Sequence, residues 1–283
     1  MWDKIQRFDD QKEHVTKFVF EKEDAVAEAV LYRYPTYKER TVICCSVQSG
    51  CPIGCIFCGA GKNFIKNLTA SEIVSQVTHL INETKTDNID RLQIMFMSMG
   101  EPFLNRDLYQ VLYFLNARHP HAELLVSTIA PRTNYHEFLY ASKKVSKIGL
   151  QFSIHATTNE ARNKLIPYLN KLMLEEIAGL GLTWHLFTGR RPFFNYIVTK
   201  ETSEADADRL VALFSPTVWN ATVSVLCSTD GSPRQEDATK ATGFANLLTQ
   251  KGFNSRVFDP AGQDTIGGGC GQLWHTQDWM AGK

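Results

Sequence analysis

The sequence predicts an α/β fold: an open doubly wound sheet or a full or partial βα barrel, preceded by a β extension. Three observations point there. Short runs rich in β-branched and aromatic residues recur at 15–20, 26–32, 41–46, 92–97, 124–127, 148–154, 193–198 and 222–226. From the third run onward, most are separated by stretches with helical periodicity. Finally, 283 residues at 43% hydrophobic composition are enough to fill a substantial core.

The elements follow in order. Residues 1–40 read β-β with no helix between, and form the extension; residues 41–275 form the catalytic unit and its tail. The third run, RTVICCS, leads straight into GCPIGCIFCGAG. In TASEIVSQVTHLINET, Thr69 and Glu72 make a capping-box pattern, and Ile73, Val77, Leu80 and Ile81 share one helical face. Further helical stretches are expected at 107–116, 135–144, 172–178, 204–214 and 242–251. Only TIGGGCGQ near the end resembles low-complexity sequence.

Several function classes are excluded. The N-terminus is charged from Asp3 onward with no apolar leader core, and nowhere do about 18 apolar residues run together, so a cytoplasmic protein with no membrane partner is expected. Lys and Arg balance Asp and Glu at 30 each, so no overall basic field announces a nucleic acid. Lys62, Lys66, Arg190 and Arg191 are the local basic candidates. Seven cysteines (44, 45, 51, 55, 58, 227 and 270) without a secretory signal favour metal or redox chemistry over a disulfide scaffold.

Chemistry in such folds sits at the C-terminal ends of the strands, where Cys51, Cys55 and Cys58 fall. Zinc prefers four ligands, for which Cys44, Cys227 or Cys270 are candidates. A [4Fe-4S] cluster held by three cysteines instead leaves one iron open for substrate or cofactor. Cys45 points to the other face of its strand from Cys44 and is expected to be a small core residue.

The C-x-x-x-C-x-aromatic-C spacing, with Phe57 before Cys58, resembles the radical S-adenosylmethionine (radical SAM) signature. That resemblance implies a partial (βα)6 radical SAM barrel, with Cys51, Cys55 and Cys58 as ligands of a [4Fe-4S] cluster whose open iron chelates SAM. Further SAM contacts are implied at Gly100 and Glu101 in MFMSMGEPFLN, at Ser127 in LLVSTIAP, and at Ser153, Ile154 and His155 in QFSIHA. A lone histidine at a strand end is more often structural, so His155 stands on the motif.

Two further stretches, ICCSVQSGC with Cys44 and GGGCGQLW with Cys270, resemble the RlmN/Cfr family of RNA methyltransferases, as do NLTASEI, SMGEP, STI and SIHATTNEARNKLIP. The resemblance runs from about Val15 to Leu273 and implies methylation of adenine C2 or C8 in RNA with two SAM per turnover. Neither carbon offers a lone pair to an ordinary methyl donor. In the scheme the resemblance implies, Cys270 is methylated first, and hydrogen abstraction from its S-methyl group gives a methylene radical that adds to the ring carbon. After loss of an electron and a proton, Cys44 attacks the Cys270 sulfur and releases the product, leaving a Cys44–Cys270 disulfide to be reduced. Glu28 in VAEAVLYRYP resembles the family's proton acceptor. Gly267, Gly268 and Gly269 give the backbone before Cys270 the freedom to serve both steps.

Departures from the family bear on substrate. Cys227 stands where the family has its SAM-ribose asparagine. Set against the family, the chain is expected to begin at the β extension, without the helical N-terminal RNA-binding domain. The substrate is expected to be an rRNA or tRNA adenosine, with a recognition partner replacing that domain and an electron donor such as flavodoxin or ferredoxin. Pro102 in SMGEP favours C2, whereas NLTASEI and STI sit closer to the C8 enzymes. Two other readings stay open: a radical SAM enzyme of this lineage acting on a small or non-RNA adenine compound, and a zinc-stabilised RNA-binding protein.

Overall fold

The computed structural model describes residues 2–10, 14–86, 88–226, 235–258, 266, 267 and 272. Its chain runs β1 (Lys4–Asp9), β2 (Val15–Lys22), β3 (Ala25–Arg33), β4 (Thr41–Cys45), β5 (Gln48–Gly50), β6 (Phe64–Asn67) and α1 (Ala70–Glu83). It continues through β7 (Leu92–Phe96), α2 (Leu108–Arg118), β8 (Glu123–Thr128), α3 (His136–Lys144), β9 (Ile148–Ser153), α4 (Asn159–Leu165) and α5 (Leu174–Thr188). The last elements are β10 (Phe193–Ile197), α6 (Glu204–Leu213), β11 (Asn220–Ser224), α7 (Gln235–Gln250) and β12 (Asn254–Phe258).

Ten strands form one sheet in the order β1-β2-β3-β4-β7-β8-β9-β10-β11-β12. The first three pair antiparallel and β3 joins β4 antiparallel; from β4 onward every neighbour is parallel. The sheet curls: Cys44 on β4 and Phe258 on β12, at opposite ends of the parallel run, line one cavity. Six strand–helix units plus a seventh parallel strand therefore make an open barrel, with β1 to β3 continuing it at one end.

The alternation of the strands sets the two faces. Leu124 and Val126 of β8 and Ile148, Leu150 and Phe152 of β9 join the main core, while Ser127, Gln151 and Ser153 lie on the half-buried inner face. Cys45 is fully buried in that core, as expected. The capping box of α1 is present: Glu72 N–H donates to Thr69 Oγ1 at 3.3 Å, and Thr69 N–H to the Glu72 carboxylate at 2.7 Å.

All eight expected strands are found, but β1, the β5–β6 hairpin, α4 and β12 are additional. Helix α5 extends ten residues beyond the expected stop at 178. Gly179 and Gly181 there suggest a break, yet Gly181 packs beneath Trp219, where a Cβ would lie 2.0 Å from the indole. The glycine answers a packing demand inside a continuing helix.

Candidate functional site

The cysteine loop hangs from the β5–β6 hairpin. Gly50 turns into it at φ +71, and a Cβ there would sit 2.0 Å from the Asn63 carbonyl oxygen, so only glycine fits. Cys51 N–H donates to Asn63 O at 2.9 Å and closes the loop neck. Inside it, Cys58 N–H donates to Cys55 O at 3.1 Å and Gly61 N–H to Cys58 O at 3.2 Å. All three cysteines are partly exposed and line one common cavity at the C-terminal ends of the barrel strands. Burial pushes the Cys51 thiol up to about 12 and raises Cys58 as well, so binding a metal there must release protons.

The same cavity is bounded by Gly100, Glu101, Ser127, Ser153 and His155, so five of the expected SAM contacts converge on the thiols. Gly100 has φ +98, and a Cβ would meet the Gln48 side chain at 2.5 Å. Glu101 ties two strand ends together. Its Oε1 accepts from Thr128 Oγ1 at 2.6 Å and Phe103 N–H at 3.1 Å, and its Oε2 from Ile129 N–H at 2.9 Å. Burial raises its pKa to about 7 against the pull of those donors. Burial, with the Arg162 charge adding to it, lowers His155 to about 3 and keeps the ring neutral. His155 adopts φ +57, packs edge-on against Phe57 with centroids 5.1 Å apart, and has a buried Nδ1 without a hydrogen-bond partner among the described residues. Ile154 is different: its side chain lies in the main core, and its backbone N–H donates to Asn195 O at 3.0 Å.

Three contributors were not singled out from the sequence. Arg162 of α4 is buried beneath the cavity, donating to Leu172 O at 2.8 Å and Ile129 O at 2.6 Å. Burial lowers it to about 10, opposed by Cys55, Tyr135 and Glu101, so it supplies positive charge behind both the loop and the carboxylate. Its signal lay within SIHATTNEARNKLIP, where the pattern was visible but the role was not. Asn195, the middle residue of β10, lines both the cysteine cavity and the Cys44 cavity, with Oδ1 accepting from Ser224 Oγ at 2.7 Å. Thr128 supplies the hydroxyl on Glu101.

A second group of expected residues gathers beside the barrel's first strand. Cys44 pairs in register with Val30, and Glu28 lies two residues away on the same face of β3. Glu28 is held firmly: its carbonyl accepts from Ser46 Oγ at 2.6 Å and Ser98 Oγ at 2.7 Å. Its carboxylate pairs with Lys17 Nζ at 2.9 Å, both side chains being fully buried. Burial lowers the Lys17 pKa, with the Glu28 charge opposing it. Lys17 Nζ also donates to Gly267 O at 3.2 Å, and Ile266 packs in one apolar cluster with Cys44, Val15 and Val30. Cys270 and Cys227 lie outside the described residues, as do Gly268 and Gly269.

The basic candidates have other employment. Lys66 pairs with Asp24 and Glu72. Arg190 grips the carbonyls of Ser142, Ser146 and Ile148, and Arg191 those of Pro216 and Trp219. The Lys62 side chain is outside the described set.

The donor set fits a radical SAM centre: three thiols share a cavity with hydroxyls, a glycine turn and an unpartnered imidazole nitrogen. Among the described residues, no three His, Cys, Asp or Glu side chains gather on a single ion. No helix among them is long and apolar enough to cross a membrane. The radical SAM superfamily model matches residues 45–178. The chain is 30% identical to ribosomal RNA large subunit methyltransferase N of Nitrosopumilus maritimus, covering 91% of this chain and 76% of that relative. It is 31% identical to a probable dual-specificity RNA methyltransferase RlmN of Petrotoga mobilis, covering 91% and 74%. The crystal structure of a radical SAM methyltransferase from Sphaerobacter thermophilus superposes with a TM-score of 0.77 at 26% identity, covering 95% of this chain and 80% of that one. Superfamily members use a [4Fe-4S] cluster and SAM, and by this similarity the chain belongs to the RlmN family of radical SAM methyltransferases.

Proposed function

We propose that this enzyme methylates an adenine ring carbon in RNA, C2 in preference to C8, through an S-methyl intermediate on Cys270. The observation that carries the reading is the arrangement of Cys44, Glu28 and Lys17 on one inner face, with residues 266 and 267 seated over it. Cys270 lies three residues beyond Gly267, a span of at most roughly 11 Å. RNA as substrate rests on the names of the relatives, which include both a ribosomal RNA enzyme and dual-specificity RNA enzymes. Pro102, buried directly after Glu101, supports the C2 preference through its match to SMGEP.

Cys51, Cys55 and Cys58 would hold the cluster, and Gly100, Glu101, Ser127, Ser153, His155 and the Ile154 backbone would surround SAM, with Cys227 at the ribose. When bound, the cluster and two SAM molecules supply the methyl group and the hydrogen-abstracting radical. The chain's own residues do the rest. Cys270 carries the methylene carbon to the base. Once the adduct has given up one electron, which the bound cluster would accept, the Glu28 carboxylate takes the ring proton. The Cys44 thiolate then attacks the Cys270 sulfur, forming the S–S bond and breaking the C–S bond, so that the released carbon takes a proton and becomes the product methyl group. The resulting disulfide requires external reductant, for which a flavodoxin- or ferredoxin-type donor and a thiol system are proposed. The switch from antiparallel to parallel pairing at β3–β4 supports a division into a 1–40 extension and a 41–275 catalytic unit; a recognition partner supplying RNA selectivity is proposed alongside it.

Nucleoside mass spectrometry of rRNA and tRNA from cells with and without the protein tests this directly. A methylated adenosine present only with the protein is expected, and its fragmentation assigns C2 or C8. No difference in either RNA class would overturn the RNA reading.

A further inference from the structure

Lys17 and Glu28 stand out because both are fully buried on a face otherwise formed by Val15, Val30, Cys44 and Ile266. A buried ion pair is a poor device for stability alone, since apolar residues of similar volume usually serve as well or better. An ammonium, however, has three donors and no acceptor, so one Lys side chain can hold two oxygens at once. Here it does so: Nζ lies 2.9 Å from Glu28 Oε2 and 3.2 Å from the carbonyl oxygen of Gly267. Gly267 adopts φ +60, a left-handed conformation that glycine takes without a Cβ penalty. The captured carbonyl thus belongs to a residue suited to a chain reversal.

We propose that Lys17 is a positioning residue whose buried ammonium clamps the Gly267 carbonyl to the Glu28 carboxylate, seating the segment that leads to Cys270 beside Cys44. The clamp's chemical consequence rests on the proposed methyl-carrier role of Cys270; its existence does not. With the chain pinned at Gly267, the three-residue reach to Cys270 is confined to roughly 11 Å from a clamp that adjoins Cys44 and Glu28. That confinement raises the effective concentration of the thiol pair. Lys17 itself need touch neither SAM nor the base.

The test measures iodoacetamide labelling rates of individual cysteines in the cluster-reconstituted enzyme, resolved by peptide fragmentation. Lys17→Met leaves Glu28 without its ammonium, so the double variant Lys17→Met/Glu28→Leu is measured beside it to preserve folding. The expected result is about a tenfold faster labelling of Cys270 in both, with Cys45 in the core still protected. Global loosening would instead accelerate both cysteines together. In the single variant kcat should fall while KM for RNA holds. An unchanged Cys270 to Cys45 labelling ratio in a folded double variant would overturn the clamp. If wild-type Cys270 never gains a methyl group from SAM, the methyl-carrier reading fails, and the labelling ratio still decides the clamp.

Discussion

Glu28 and Cys44 share one face of adjacent antiparallel strands, a single diagonal step apart, because Cys44 pairs in register with Val30. A proton acceptor and a resolving thiol would thereby reach the same sulfur-linked adduct from one side. Cys44→Ala is expected to lower turnover by at least about 10³-fold while Cys270 is still methylated, and intact-protein mass spectrometry should show trapped RNA. Glu28→Gln should lower kcat by about 10²-fold or more, measured under reducing conditions.

Replacement of Cys51, Cys55 or Cys58 by alanine should each abolish the brown chromophore after anaerobic reconstitution. Iron and sulfide analysis checks it. Cys45→Ala is the control, since Cys45 lies in the main core on the far side of β4 and should keep its iron.

Arg162→Met should destabilise the metal-free protein by about 2–4 kcal/mol, because the carbonyls of Leu172 and Ile129 lose their buried donor. Urea unfolding measures it. Iron retention should weaken in parallel, as the side chain also lies beneath Cys55 and Glu101.

Gly50→Ala would force a Cβ into the Asn63 carbonyl at a positive φ and open the loop neck. A loss of about 1–3 kcal/mol is expected, together with poor cluster loading. Gly243→Ala is the contrast: no atom lies within 4 Å of the place its Cβ would take in α7, so a small gain in helix stability is expected instead.

His155 and Glu101 should oppose each other in the pH dependence of the metal-free protein. His155 is lowered to about 3 from 6.5, so its contribution is lost as pH falls below 6.5. Glu101 is raised to about 7 from 4.5, so its contribution is complete below 4.5 and lost as pH rises towards 7. Between 4.5 and 6.5 the two slopes cancel. His155→Asn should uncover the Glu101 slope, with stability falling by up to about 1.4 kcal/mol per pH unit across that window. A profile in the variant unchanged from the parent over that window would refute the pairing.

Strands with a buried face were legible because burial selects β-branched and aromatic residues, as in VTKFVFEK and AVAEAVLYR. The elements that escaped carry little of that signal. KIQRFD is a largely exposed edge, QSG and FIKN are too short, and NSRVF is mostly solvated. Candidate site residues were legible where chemistry demands a fixed spacing, as with Cys51, Cys55 and Cys58, which line one cavity. Lys17 and Arg162 were not, because their importance comes from burial, and an isolated Lys or Arg in sequence looks like any solvated charge.

The antiparallel pairing of β3 with β4 also bears on handling the protein. Backbone donors and acceptors along β4 that would otherwise face solvent are consumed by its neighbour. A fragment starting at residue 41 would present a bare, apolar strand margin rich in Val and Ile, ready to recruit the same margin of another molecule. Such a fragment should therefore emerge from expression as aggregate, because β3 would no longer cover that margin.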